Sequence, residues 1–227
     1  MMLSTADPWL FVFAGVFFLL CRLAYHCLGF SLFRHPIVAG LPCWLFWGDE
    51  NLLLAAVFFE LFWLDFFHAG TYVPPDSLAA YLLFAPLVMY FDLRGPTRLA
   101  PVLLLCLTFS WFGAWVEMRL RRERVIHYHR LNQALDNGHG ICKTAGEIAR
   151  KGLCQSFLWW SCFYGLAALS LWLILRVWAR FIGPFYQASW AGWELLLGFA
   201  ALGGLMALRL PSAWAFFIVC AAALGCI

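Results

Sequence analysis

The sequence predicts an all-α, polytopic integral membrane protein with short broken or re-entrant helices in its N-terminal half. Three observations predict it. Apolar residues make up 64% of the 227-residue chain and charged residues 12%, against about 45–50% and about 25% in soluble domains. Thirteen Trp and 23 Phe exceed what one aqueous core of this size can hide. The apolar runs come in two lengths, some near the ~20 residues that a crossing needs and some clearly shorter. Disorder is excluded, because it needs low hydrophobicity and high charge.

In chain order, Trp9 to Cys21 continues past Arg22 and His26 to Phe33, a crossing if its polar residues turn inward. No basic n-region or small-residue cleavage site marks a secretory leader. Pro36–Trp47 and Leu52–Phe67 flank a polar turn, Gly48-Asp49-Glu50-Asn51. Both runs are short for crossings, so they read as a re-entrant hairpin or paired broken helices. His68 to Asp76 contains Pro74-Pro75 and cannot be regular helix. Another short run, Ser77–Phe91, follows. Irregular backbone between such runs is tolerated at membrane depth only where protein or a water-filled cavity covers it. Leu99–Val116, Leu153–Leu175, Tyr186–Leu208 and Leu210–Ile227 read as later spans. Residues 1–227 thus form one membrane domain: a broken-helix region at 9–91, a polar connector at 117–151 and C-terminal spans at 153–227. The connector holds eight of the fifteen basic residues, which places it in the cytoplasm by the positive-inside rule.

Chemistry is expected where lipid would penalise charge. An ionised side chain at mid-bilayer costs roughly 2.5–3.5 kcal/mol on insertion scales. Asp49, Glu60, Asp65 and Asp76 fall within 28 positions, next to His68. They predict a polar pocket for a hydroxyl-rich or cationic solute; the plainer alternative is helix capping or headgroup contact. The aromatic residues around them, from Trp44 to Phe67, read as lipid-facing bulk more readily than as a sugar platform. His127, His129, His139 and Cys142 do not match zinc spacing, so no metal is expected. They lie with Arg121, Arg122 and Arg124 on a solvated helix able to touch anionic headgroups or a cytoplasmic partner. Nine Cys, an odd number without CxxC spacing, behave as small hydrophobes. Glu194 interrupts one span without a nameable partner. Nucleotide-binding and common hydrolase motifs are absent from the sequence, and no cofactor is expected.

From Phe33-Arg34-His35-Pro36 through Gly48-Asp49 and Glu60 to Gly70-Thr71-Tyr72-Val73-Pro74-Pro75-Asp76, the order and spacing are those of one known family. The chain resembles the IIC membrane subunit of mannose/fructose/sorbose-family sugar phosphotransferase systems (PTS). Leu131-Asn132-Gln133-Ala134-Leu135-Asp136-Asn137-Gly138 is similar to that family's cytoplasmic connector. The likeness covers about residues 9–208 and is most specific over 33–80. It implies a multi-pass permease of the bacterial inner membrane that conducts a hexose or hexosamine inward by alternating access of a hairpin core. It also implies a hetero-oligomer: a IID membrane subunit, with cytoplasmic IIA and IIB phosphocarriers that phosphorylate the sugar while this chain carries no phosphoryl group. Glu60, His68 and Asp76 are the implied substrate-binding residues, with Asp49 in the helical hairpin. Glu60 would accept sugar hydroxyls and His68 would donate or accept. Gly29-Phe30-Ser31-Leu32 lacks the acidic and amide residues that sugar-handling members place there, Glu50-Asn51 replaces a basic residue and Gly, and the chain looks one span short. These departures favour a second reading, a non-transporting scaffold or sensory relic. A third is a lipid-modifying enzyme using Glu60, Asp65 and His68.

Overall fold

The computed structural model describes residues 8–29, 31–63, 73–136, 141–181 and 192–208. Every element among them is helical: α1 (Trp9–Leu28), a 3-10 turn (Ser31–Arg34), α2 (Pro36–Trp47), α3 (Glu50–Phe62), α4 (Ser77–Tyr90), α5 (Pro96–Asp136), α6 (Ile141–Phe181) and α7 (Trp193–Leu208). Three stretches are long and apolar enough to cross a membrane: Trp9–Leu28, Pro96–His129 and Gly146–Trp178. Their outward side chains are apolar too, with Phe13, Leu20, Leu104, Trp111, Phe157 and Leu166 exposed. Such a surface suits hydrocarbon and not water.

Shorter helices stand among the long ones, α7 at 16 residues being the longest of them. α2, α3 and α4 have 12, 13 and 14 residues, hence lengths of roughly 18–21 Å at 1.5 Å per residue. α2 and α3 form an antiparallel hairpin. Pro36 starts α2, where its missing N–H costs nothing. Gly48 ends it at φ 66°, a conformation that residues with a Cβ rarely adopt. Asp49 then caps α3. The turn at residues 48–49 is the tip end of the protein. α4 also finishes there and doubles back into α5 through residues 91–95. The opposite end carries the extension of α5 and α6.

α4 is the centre of the core, buried without interruption from Leu78 to Val88. Pro86 removes the N–H that would bond the Leu82 carbonyl, and the Tyr164 hydroxyl from α6 donates to that oxygen at 3.1 Å. Tyr164→Phe is therefore expected to cost about 1–3 kcal/mol by leaving a buried carbonyl unpaired. Pro86→Ala, which restores the N–H, should remove most of that cost. Thermal unfolding in detergent is the measurement. An equal cost in both backgrounds would show that the hydroxyl does not compensate for the proline.

α5 and α6 have 41 residues each, and they carry the described part of the polar stretch 117–151 as helix, in line with the solvated helix expected around His127 and His129. The helices run roughly 60 Å, about twice a hydrocarbon core. The stretch read as a connector continues both as a helical stalk, with residues 137–140 outside the described set. Trp115 packs on Trp159 with ring centroids 6.3 Å apart, and Gln155 bonds Glu123 across the hairpin. Arg, Glu and Gln are good helix formers, so hydropathy fell while helicity continued. α7 runs alongside α3, from Trp193 beside Asn51 to Gly203 beside Phe62.

A buried charged cluster as candidate functional site

The stalk-side ends of the short helices are polar. Asp76 caps α4, and its Oδ1 accepts the Ala79 N–H at 3.1 Å. Its own N–H donates to the Ser110 carbonyl of α5 at 3.2 Å. Its other oxygen pairs with the Arg22 guanidinium from α1. Val73, Pro74 and Pro75 lead into Asp76 as buried, non-helical backbone.

Arg22 is 4% exposed and Asp76 6%. The guanidinium carbon lies 4.1 Å from the Trp160 ring centroid and 5.4 Å from that of Phe18. Two aromatic rings and a carboxylate thus replace the water an arginine loses on burial. Glu117 of α5, equally buried, is within electrostatic reach of Arg22. Its Oε1 lies 3.3 Å from Arg121 Nε and 3.9 Å from Arg124 Nη1. Arg124 Nη2 lies 3.4 Å from His26 Nε2. Arg22 Nε, Glu117 Oε2 and Trp160 Nε1 are buried without a hydrogen-bond partner among the described residues.

A second pair closes the base of the hairpin. His35 Nδ1 lies 2.6 Å from Glu60 Oε1, with the His side chain 50% exposed and the Glu 18%. Glu60 Oε2 is buried and unpartnered among the described residues. The two pairs connect through α4, because Ser77 Oγ donates to the Arg34 carbonyl at 3.4 Å. Arg34 is itself held on Tyr25, donating to its hydroxyl at 3.2 Å. A polar seam therefore runs from Glu60 through His35, Arg34, Ser77 and Asp76 to Arg22, linked by ion pairs, one hydrogen bond and chain neighbours, with Glu117 and its arginines within electrostatic reach of Arg22.

Of the residues expected from sequence, Glu60 and Asp76 lie on this seam. Asp49 lies at the tip, about 20 Å away along the hairpin, with Oδ1 accepting Asn51 N at 2.9 Å and Asn51 Nδ2 at 2.8 Å. His68 and Asp65, like Gly70-Thr71-Tyr72 of the family-like loop, lie outside the described residues. Arg22, His35 and Glu117 were not expected in a site. Arg22 carried the clearest signal, an arginine inside an apolar run. Glu117 looked like the first residue of the polar connector, and nothing local pointed to Arg22.

Fold and site define an all-α chain with three helices able to cross a membrane and a charged cluster where those helices meet the ends of shorter ones. Comparison with protein-family models, with curated proteins and with solved structures finds no match.

Proposed function

We propose that this chain is the IIC-type membrane subunit of a mannose-family PTS permease, passing a hexose or hexosamine inward beside a IID partner. The observation that carries this is the seam itself: Glu60 and Asp76 sit at the stalk-side ends of three helices too short to cross a membrane. With the stalk, which bears Arg119, Arg121, Arg122, Arg124, Arg150 and Lys151, in the cytoplasm, the tip faces outside. The seam then lies roughly 20 Å below the outer surface of a ~30 Å hydrocarbon core. Acids at that depth mark a solute pathway before they mark anything else. Interrupted helices are how membrane transporters present backbone and side-chain polar groups to a solute at depth. In this reading the protein is multi-pass in the bacterial inner membrane, and α2–α3 is a hairpin that moves relative to the long helices. Glu60, through the oxygen His35 does not hold, accepts hydroxyls of the sugar.

The test is labelled-hexose uptake by cells making this chain with its IID, IIA and IIB partners. Glu60→Gln should lower uptake at least tenfold while leaving membrane insertion unchanged. Uptake equal to wild type would remove Glu60 from the pathway.

A second reading, a non-transporting scaffold or sensory relic, has one observation in its favour. The Asp76 carboxylate is already committed, one oxygen to the Ala79 N–H and the other to the Arg22 charge. Absence of hexose uptake by the assembled wild-type system would decide for it.

A further inference from the structure

At the opposite end of the hairpin, the tip and the α4–α5 turn enclose a cavity of about 360 Å³. Val88, Met89, Leu93 and Trp47 are its apolar lining residues. Asp49, Asp92 and Arg94 supply its charge. Asp92 Oδ1 accepts from Arg94 Nε at 2.9 Å, which brings the two groups side by side. Asp92 Oδ2, both terminal guanidinium nitrogens and Asp49 Oδ2 have no hydrogen-bond partner among the described residues. Trp193 Nε1 donates to Asn51 Oδ1 at 2.9 Å, and Asn51 holds Asp49, so α7 fixes the tip.

This combination selects a ligand class. A vicinal diol donates from one hydroxyl to a carboxylate oxygen and accepts at the other from a guanidinium N–H, which is what the Asp92–Arg94 pair offers. The C–H face of a ring sugar suits the indole of Trp47 and the apolar surface of Met89 and Leu93. A bare cation would make no use of Trp47, Met89 or Leu93, and among the described residues no three metal-type ligands converge there. A lipid tail would leave three charged groups unmatched. We infer that the tip cavity is a separate binding site for a neutral ring sugar, an outward-facing station distinct from the Glu60–Asp76 seam. Its outward sidedness rests on the permease reading; its sugar binding does not.

The full chain in nanodiscs is titrated with D-mannose, D-glucose and N-acetyl-D-glucosamine, with mannitol as the acyclic control, by calorimetry and saturation-transfer NMR. Asp92 and Arg94 are exposed, so Asp92→Asn and Arg94→Gln should unfold at the wild-type temperature. At least one ring sugar should bind saturably and more tightly than mannitol, and each variant should weaken it about tenfold. The absence of saturable binding by every ring sugar, or binding that both variants retain within twofold, overturns the inference. The permease reading is judged separately by uptake after Glu60→Gln, so either reading can fall alone.

Discussion

Arg22→Met is expected to destabilise the protein by about 3–5 kcal/mol, the usual cost of stripping one partner from a buried ion pair. The substitution keeps the length of the side chain and its packing between Phe18 and Trp160, so the loss reports the charge. Asp76 would be left as a carboxylate with 6% exposure and no cation. Asp76→Asn should cost less. Asn caps a helix about as well as Asp, and Arg22 keeps Glu117 within electrostatic reach. Arg22→Met/Asp76→Asn should recover most of the Arg22→Met loss, because a neutral amide in place of the carboxylate removes the unpaired charge. Unfolding in a mixed-micelle denaturant titration gives all three values. Additive single effects, or an Arg22→Met cost below about 1 kcal/mol, would mean that the pair behaves as a surface bridge. The double variant also carries functional weight: it should insert and fold, and in the permease reading it should fail in uptake. Many single losses in this cluster would confound folding with activity, and this variant separates them.

Much of this architecture was legible, for specific reasons. Proline and glycine punctuate α2, and its expected bounds, Pro36 to Trp47, are the observed ones. Asp76 before Ser77 marked the start of α4, and the cap is made as that pair suggests. The apolar run from Leu52 to Phe67 is helical as far as Phe62, and its remainder from residue 64 on lies outside the described residues. In the site, Glu60 and Asp76 stood out because an acid in an apolar run is costly wherever it sits. Their partners did not. Arg22 lies 54 positions before Asp76, and His35 lies 25 before Glu60, and no local pattern encodes which cation reaches which acid. Asp49 was grouped with them by proximity in sequence, but a hairpin puts its tip as far from its base as its length allows.

Gly40→Val is expected to be the most damaging change within the hairpin. A Cβ at position 40 would lie 2.5 Å from the Ala56 Cβ of α3 and 3.6 Å from the Tyr81 hydroxyl of α4. Three helices meet at that point, and both neighbours are fully buried, so neither can swing aside. Overpacking of this kind costs about 1–3 kcal/mol for a modest excess and more when backbones must separate. A Val, with two methyls beyond the Cβ, belongs at the upper end. Gly40→Ala should fall lower, and Ala56→Gly should relieve it, less the roughly 1 kcal/mol that a helical glycine costs. Rescue of Gly40→Ala by Ala56→Gly locates the strain at the α2–α3 crossing; failure of rescue moves it to Tyr81 and α4. The distinction matters for function. If α2 and α3 carry a solute as one body, strain between them should damage stability and uptake in parallel, and the Ala56→Gly rescue should restore both. Strain against α4 acts instead on the surface the hairpin must slide along, and would alter uptake even where the unfolding midpoint has been recovered.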